Sequence, residues 1–334
     1  MILPKAELHV HIEGTLEPEL LVRLAERNGI VLPTTDVDEL RGQYRFTDLQ
    51  SFLDVYARSQ VVLRTEEDFH DLACAYLERA GAQGVRRAEI FFDLQQHLEN
   101  GVPAKAVFSG LRQAVDESQD RYGVDAALIL CFLRDRGADA AMAAFRTAWP
   151  FRDSFIGVGL DSSEVGHPPS LFREVFAAAG SEGLHRVAHA GEEGGPDYVW
   201  QALDELHVER IDHGNRAMED PALVARLRSE QVPLTVCPLS NVALKVVDRL
   251  EEHVLPQMLA EGLCVTLNSD DPAYFGGYIE DNYTAVQSQL GLSDSDLAAI
   301  AASSFDACFA PEVQRAAWKA ELDVSGRGPR RTSG

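Results

Sequence analysis

Eight short apolar runs, separated by helix-like stretches, limit what this chain can fold into more than any other feature. The first lies inside residues 5–16. The others fall at 86–93, 126–133, 155–160, 185–189, 209–213, 233–237 and 263–268. Helical patterns at 104–122, 171–182, 197–206, 220–230 and 252–261 alternate with them. Strands that alternate with helices form a parallel sheet. Eight of them favour closure into a (β/α)8 TIM-type barrel over an open sheet. Between the first two runs, Leu20, Leu21, Leu24 and Ala25 form one helical stripe and Leu49, Phe52, Leu53 and Tyr56 another. Pro33 and the Thr34-Thr35-Asp36 cluster separate them. This helical insertion after strand one is expected to cap the barrel mouth. Gly14 is expected to break the first strand, and Thr15 to cap a helix running over 16–27. A helical segment at 292–321 is expected to pack outside the barrel. The reading is one domain over 1–324, followed by a flexible tail over 325–334.

Within the first run, His9 and His11 stand two residues apart. Alternate residues of a strand face the same way, so both imidazoles project to one side as a natural pair of metal ligands. In a barrel, chemistry sits at the C-terminal ends of the strands. Those ends carry Asp161-Ser162-Ser163-Glu164, His189-Ala190-Gly191-Glu192-Glu193, Asp212-His213-Gly214, Pro238-Leu239-Ser240-Asn241 and Asn268-Ser269-Asp270-Asp271. Polar groups at so many strand ends do not fit core filling. Three imidazoles (His9, His11, His189) with one carboxylate, Asp270 or Asp271, suit zinc. Bound zinc lowers the pKa of its water from about 15.7 to about 7. Glu192, three residues beyond His189, is a candidate general acid or base. His213 and the second aspartate of the pair can orient the water. His70, His97, His185, His207 and His253 read as surface or satisfied packing.

The composition narrows the ligand. With 30 basic and 53 acidic residues the formal charge is −23, which argues against a nucleic-acid partner and for a small molecule. No stretch approaches the roughly 20 apolar residues of a membrane span. Lys5 and Glu7 interrupt any signal-peptide core. The five cysteines include no Cys-x-x-Cys pair, so they read as reduced core residues of a cytoplasmic protein. The oligomeric state is not set by the sequence.

The stretch from Lys5 to Leu16, together with Ala188–Glu192, Arg210–Gly214, Cys237–Asn241 and Leu267–Tyr278, resembles the adenosine/adenine deaminase family of the amidohydrolase superfamily. The resemblance runs in family order to about Phe309. It implies a (β/α)8 barrel with one zinc ion held by His9, His11, His189 and Asp270. It further implies that Glu192 donates a proton to a purine, that His213 is the catalytic histidine, and that Asp271 contacts substrate. It is not the zinc deaminase design that pairs H-x-E with P-C-x-x-C, since here Cys237-Pro238 stands in reverse order. Residues 160–169 and 270–278 are most similar to the adenine deaminase branch. Glu13 replaces an aspartate typical of adenosine deaminases, and Ser162 stands near their glycine. Both positions bear on substrate binding and put ribose binding in doubt. The resemblance thus implies hydrolysis of adenine to hypoxanthine and ammonia, in purine salvage. Adenosine, or an N6-substituted adenine, is the alternative substrate.

Overall fold

A computed structural model describes residues 2–326. All eight expected strands form: β1 (Lys5–His11), β2 (Val85–Phe92), β3 (Asp125–Leu133), β4 (Gly157–Asp161), β5 (His185–Ala190), β6 (Arg210–His213), β7 (Leu234–Val236) and β8 (Val265–Leu267). They pair in sequence order, each parallel to the next. The ring closes just beyond β8. There the His11 amide donates to the Asp270 carbonyl and the Asp270 amide to the His9 carbonyl, both at 3.0 Å. The fold is a (β/α)8 barrel, and its seam is made by the backbone of three candidate metal ligands.

Strand period explains how one sequence fills two layers. Ile90 and Phe92, Leu128, Leu130 and Phe132, and Ala188 and Ala190 join the large apolar layer beneath the helices. Their alternates Phe91, Ile129, Cys131 and Val187 form a small inner cluster. His189 follows Val187 on that inner side, beside Phe91. β1 pairs irregularly with β2 between Glu7 and Val10, a bulge next to the site.

The insertion contains helices Pro18–Arg27, Val37–Gly42, Leu49–Ser59 and Glu66–Ala82. Asp36 caps the second by accepting from the amides of Asp38 and Glu39. Asp48 and Ser51 form a capping box at the third. Phe46, Phe52 and Tyr56 pack on Tyr274 and Phe275 as a separate cluster, which fixes this helix over the barrel mouth.

Thr15 does not cap a helix. It lies in a short 3-10 turn, Glu13–Thr15, and its hydroxyl donates to the Ile12 carbonyl. The helix starts at Pro18, whose fixed φ suits the first helical position. Nor does Gly14 end the strand, which stops at His11. A Cβ at Gly14 would lie 2.0 Å from Asp271 Oδ1, so the glycine lets Asp271 approach. The 292–321 segment is two helices, Asp294–Ala307 and Glu312–Gly326, separated around Pro311. Ser325 and Gly326 belong to the second; the rest of the expected tail lies outside the described residues. Among the described residues no helix is long and apolar enough to cross a membrane.

Candidate active site

The barrel brings His9, His11, His189 and Asp270 together: one ligand atom from each lies within 4.8 Å of the others. His11 Nε2 is 3.2 Å from His189 Nε2, and His9 Nε2 is 3.2 Å from Asp270 Oδ1. Three imidazole nitrogens facing one carboxylate oxygen in a buried space make a donor set for a cation. His9 Nε2 makes no hydrogen bond, which fits a ligand atom. Each opposite ring nitrogen faces a polar group, though only that of His9 is hydrogen-bonded. His9 Nδ1 meets Thr235 Oγ1 at 2.9 Å, and that hydroxyl donates to Asp212 Oδ1 at 2.8 Å. His189 Nδ1 lies 3.5 Å from Asp212 Oδ2, and His11 Nδ1 lies 3.5 Å from Asp161 Oδ2. Asp270 Oδ2 accepts from Ser240 Oγ at 2.7 Å. The Thr235–Asp212 chain orients the His9 ring, and Asp161 and Asp212 stand where they would hold the other two rings, the outer arrangement that metal-binding histidines use. The residues present therefore fit a divalent ion with nitrogen and oxygen ligands, zinc above all.

Beside this cluster His213 Nε2 lies 3.6 Å from Glu192 Oε2 and 3.9 Å from Asp270 Oδ2. Burial pushes the Glu192 carboxyl well above its ordinary range, and the charge of Asp270 adds to this. Burial pushes the His213 imidazole well down, favouring its neutral form. Asp271 is raised by burial first and by Asp270 second. Ser162, His213 and Asp270 all have φ between 63° and 70°, the left-handed region that costs non-glycine residues energy. All three sit at strand ends around the site, where neighbouring structure over-determines such strain.

A cavity of about 400 Å³ opens over the cluster. Its walls include His11, Ser162, His189, Glu192, His213 and Asp270, with Leu49, Phe52, Tyr56 and Gln60 from the insertion. His9, Glu13 and Asp271 stand behind this surface. Glu13 Oε1 accepts from the Asp93 amide at 3.1 Å and pairs with His97 Nε2 at 2.8 Å. His97 is buried and satisfied at Nε2, as expected, and its partner is Glu13. No motif marks it, because its partner lies 84 positions away. His253 is likewise satisfied packing, bonded to Asn241 and to the Leu255 amide. Asp93 and Asp161 stand together, one carboxylate oxygen of each within 4.8 Å of the other and of a His11 ring nitrogen. Burial, then the charge of Asp161, pushes Asp93 well up.

Glu164 shapes the turn that carries Glu192. Its buried carboxylate accepts four backbone amides: Gly191 at 2.7 Å, Glu192 at 3.1 Å, Glu193 at 2.8 Å and Gly194 at 2.5 Å. Arg134 holds the end of β5, two residues before this turn, by donating to the His189 carbonyl at 2.8 Å. The Glu164 anchor ties the loop after β4 to the 191–194 turn. Pro168 and Pro169 open the 3-10 turn Pro169–Phe172 that precedes the next helix. Glu164→Gln places an amide NH₂ against N–H donors. Losing a charge-assisted hydrogen bond typically costs about 1.5–3 kcal/mol. Turnover should fall roughly 10- to 100-fold with metal content retained. Unchanged kcat in steady-state assays would show that the turn needs no such anchor.

The sequence profile of the family described as adenosine deaminase matches residues 4–324. An adenine deaminase of Streptomyces coelicolor is 60% identical over 326 residues, covering 97% of this chain and 96% of its own. The crystal structure of an adenine deaminase from Arthrobacter aurescens superposes with a TM-score of 0.96 at 52% identity, covering 97% and 99% of the two chains. An amidohydrolase from Burkholderia ambifaria, crystallised with bound Zn, gives a TM-score of 0.88 at 27% identity and covers 97% and 90%. With the barrel, its ligand cluster and a near-complete match in hand, the chain belongs to the adenosine deaminase family.

Proposed function

We propose that this chain hydrolyses adenine to hypoxanthine and ammonia with one zinc ion at His9, His11, His189 and Asp270, as a step of purine salvage. The observation that carries the reading is a buried Glu192 carboxyl 3.6 Å from a buried His213, the two flanking one candidate metal-ligand cluster at the floor of a cavity. The similar chains of Streptomyces coelicolor and Arthrobacter aurescens, both adenine deaminases, support the choice of base.

Zinc, when bound, supplies a Lewis acid that acidifies water. The rest falls to side chains. His213 Nε2 takes the proton of the attacking water as its oxygen bonds to C6. The C6=N1 electron pair moves onto N1, which receives the Glu192 proton. The C6–N6 bond then breaks as the new C6 hydroxyl becomes the carbonyl of hypoxanthine, its proton returning to the Glu192 carboxylate. The leaving nitrogen takes the proton held on His213 and departs as ammonia. Asp271, let in close by Gly14, and Ser162 on the cavity wall hold the ring in place. Glu13 supports that wall through Asp93 and His97.

The proton on Glu192 also sets base specificity. Adenine offers a lone pair at N1, whereas guanine carries hydrogen there, so donor would face donor. A site built for one hydrogen-bond pattern strongly rejects the other. Guanine and cytosine should give no useful turnover. Ammonia release from a purine panel, with zinc measured on the same sample, tests the whole reading. Guanine turnover comparable to adenine would remove Glu192 from its role. A preparation that spares adenine but deaminates adenosine or N6-substituted adenines would move the reading to those substrates.

A further inference from the structure

The buried Gln60 side chain has no hydrogen-bond partner among the described residues and no role in the chemistry above; the Tyr56 hydroxyl on the same wall is likewise unpaired. Gln60 is 1% exposed, lines the cavity, and neither its Nε2 nor its Oε1 makes a hydrogen bond. Buried amides are almost always paired, and leaving both atoms orphaned costs stability. The side chain is not loosely held. Gln60 begins the turn Gln60–Val62, and its backbone amide donates to the Tyr56 carbonyl. The Leu63 amide donates to the Gln60 carbonyl at 3.1 Å, and Asn28 grips the Val62 carbonyl at 2.9 Å. Val62 and Leu63 are fully buried. A residue fixed this firmly with an unsatisfied amide is built to meet something that enters the cavity.

We infer that the Gln60 amide reads the N3 and N9–H edge of the purine as a bidentate pair. This deepens the adenine reading and rests on it. The chemistry is local to the ring. With C6 over the metal cluster and N1 at Glu192, N3 lies across the six-membered ring from C6, and N9 is one carbon further on. Gln60 belongs to the insertion that roofs the cavity, opposite the strand ends that form its floor. In free adenine N3 accepts and N9–H donates, side by side. An amide offers the complement: Nε2–H donates to N3 and Oε1 accepts from N9–H. A substituent on N9 removes the donor and leaves Oε1 unpaired.

Three substrates and two variants test this: adenine, 9-methyladenine, which lacks N9–H, and 3-deazaadenine, which lacks the N3 lone pair. Gln60→Met keeps the length and removes both polar atoms. Its kcat/KM for adenine should fall about 10- to 100-fold with zinc content unchanged, and that for 9-methyladenine should fall at least tenfold less. Without an orphaned amide the variant should also melt no lower than the parent. Gln60→Glu keeps the acceptor but removes the donor. Its loss on adenine should exceed its loss on 3-deazaadenine, and intrinsic reactivity cancels when each variant is divided by the parent. Equal losses on all three substrates, or no loss on adenine, would overturn the assignment, and Gln60→Glu decides if Gln60→Met does not fold. A zinc-loaded parent inert towards adenine would overturn the adenine reading itself, a failure visible before any variant is made.

Discussion

Glu192→Gln should retain its metal and lose at least about 100-fold in kcat, while His189→Ala should lose the metal itself. The two outcomes separate because the residues do different work on one turn. His189 faces the ligand cluster, 3.2 Å from His11 Nε2, and its removal takes one of four ligands. Glu192 lies outside that set of four, beside His213. Glutamine fills the same space and accepts the same backbone position, which Glu164 holds through the Glu192 amide. What it cannot do is surrender a proton to N1. General acid–base groups contribute about 10²- to 10⁴-fold, so the loss should begin near the lower figure. Zinc per chain by atomic absorption, read beside single-turnover rates, distinguishes the cases. Near-normal turnover by Glu192→Gln would take that residue out of the reaction, and a zinc-replete His189→Ala would do the same for the ligand set.

The barrel and the candidate ligands were legible because both rest on local pattern. Apolar runs bounded by helical stretches locate all eight strands, and a His-x-His pair at strand period needs no distant partner to be recognised. Strand-end position then added His189, His213 and the Asp270-Asp271 pair. The features that escaped depend on chain segments meeting. Gly14 looked like a strand breaker, and only the fold shows Asp271 pressed against it. Thr15 and the residues around it carry a capping pattern, but Pro18 fixes the helix start three residues later. Glu164 was visible as one more acid at a strand end; its four amide donors lie 27 to 30 positions away. His97 and Gln60 sit in helical stretches with nothing around them to signal a site. Their meaning comes from what the insertion buries them against.

Adenine should be preferred over adenosine by about 1,000-fold or more in kcat/KM. Size alone does not decide this, since a cavity near 400 Å³ lies within the range that holds drug-sized ligands. Polar matching does. Glu13, one methylene longer than aspartate, is drawn back onto the Asp93 amide and His97. One of its oxygens is therefore committed to the protein and withheld from a sugar hydroxyl. The loop after β4 is pinned by Glu164 onto the 191–194 turn and cannot swing aside freely to admit a larger group. Ribose on N9 would remove the N9–H donor, press against the roof near Gln60, and leave buried acceptors unpaired. Sites built to bond a substrate N–H reject analogues lacking it by about 10⁴- to 10⁵-fold, whereas a missing methylene yields only about 10- to 200-fold. An expected ratio near 1,000 lies between these limits because part of the cavity rim is polar and can solvate a sugar. The measurement is kcat/KM for both substrates on one zinc-loaded preparation. Equal values, or a preference for adenosine, would mean that the unpaired groups under the roof serve a ribose rather than the bare edge of the base.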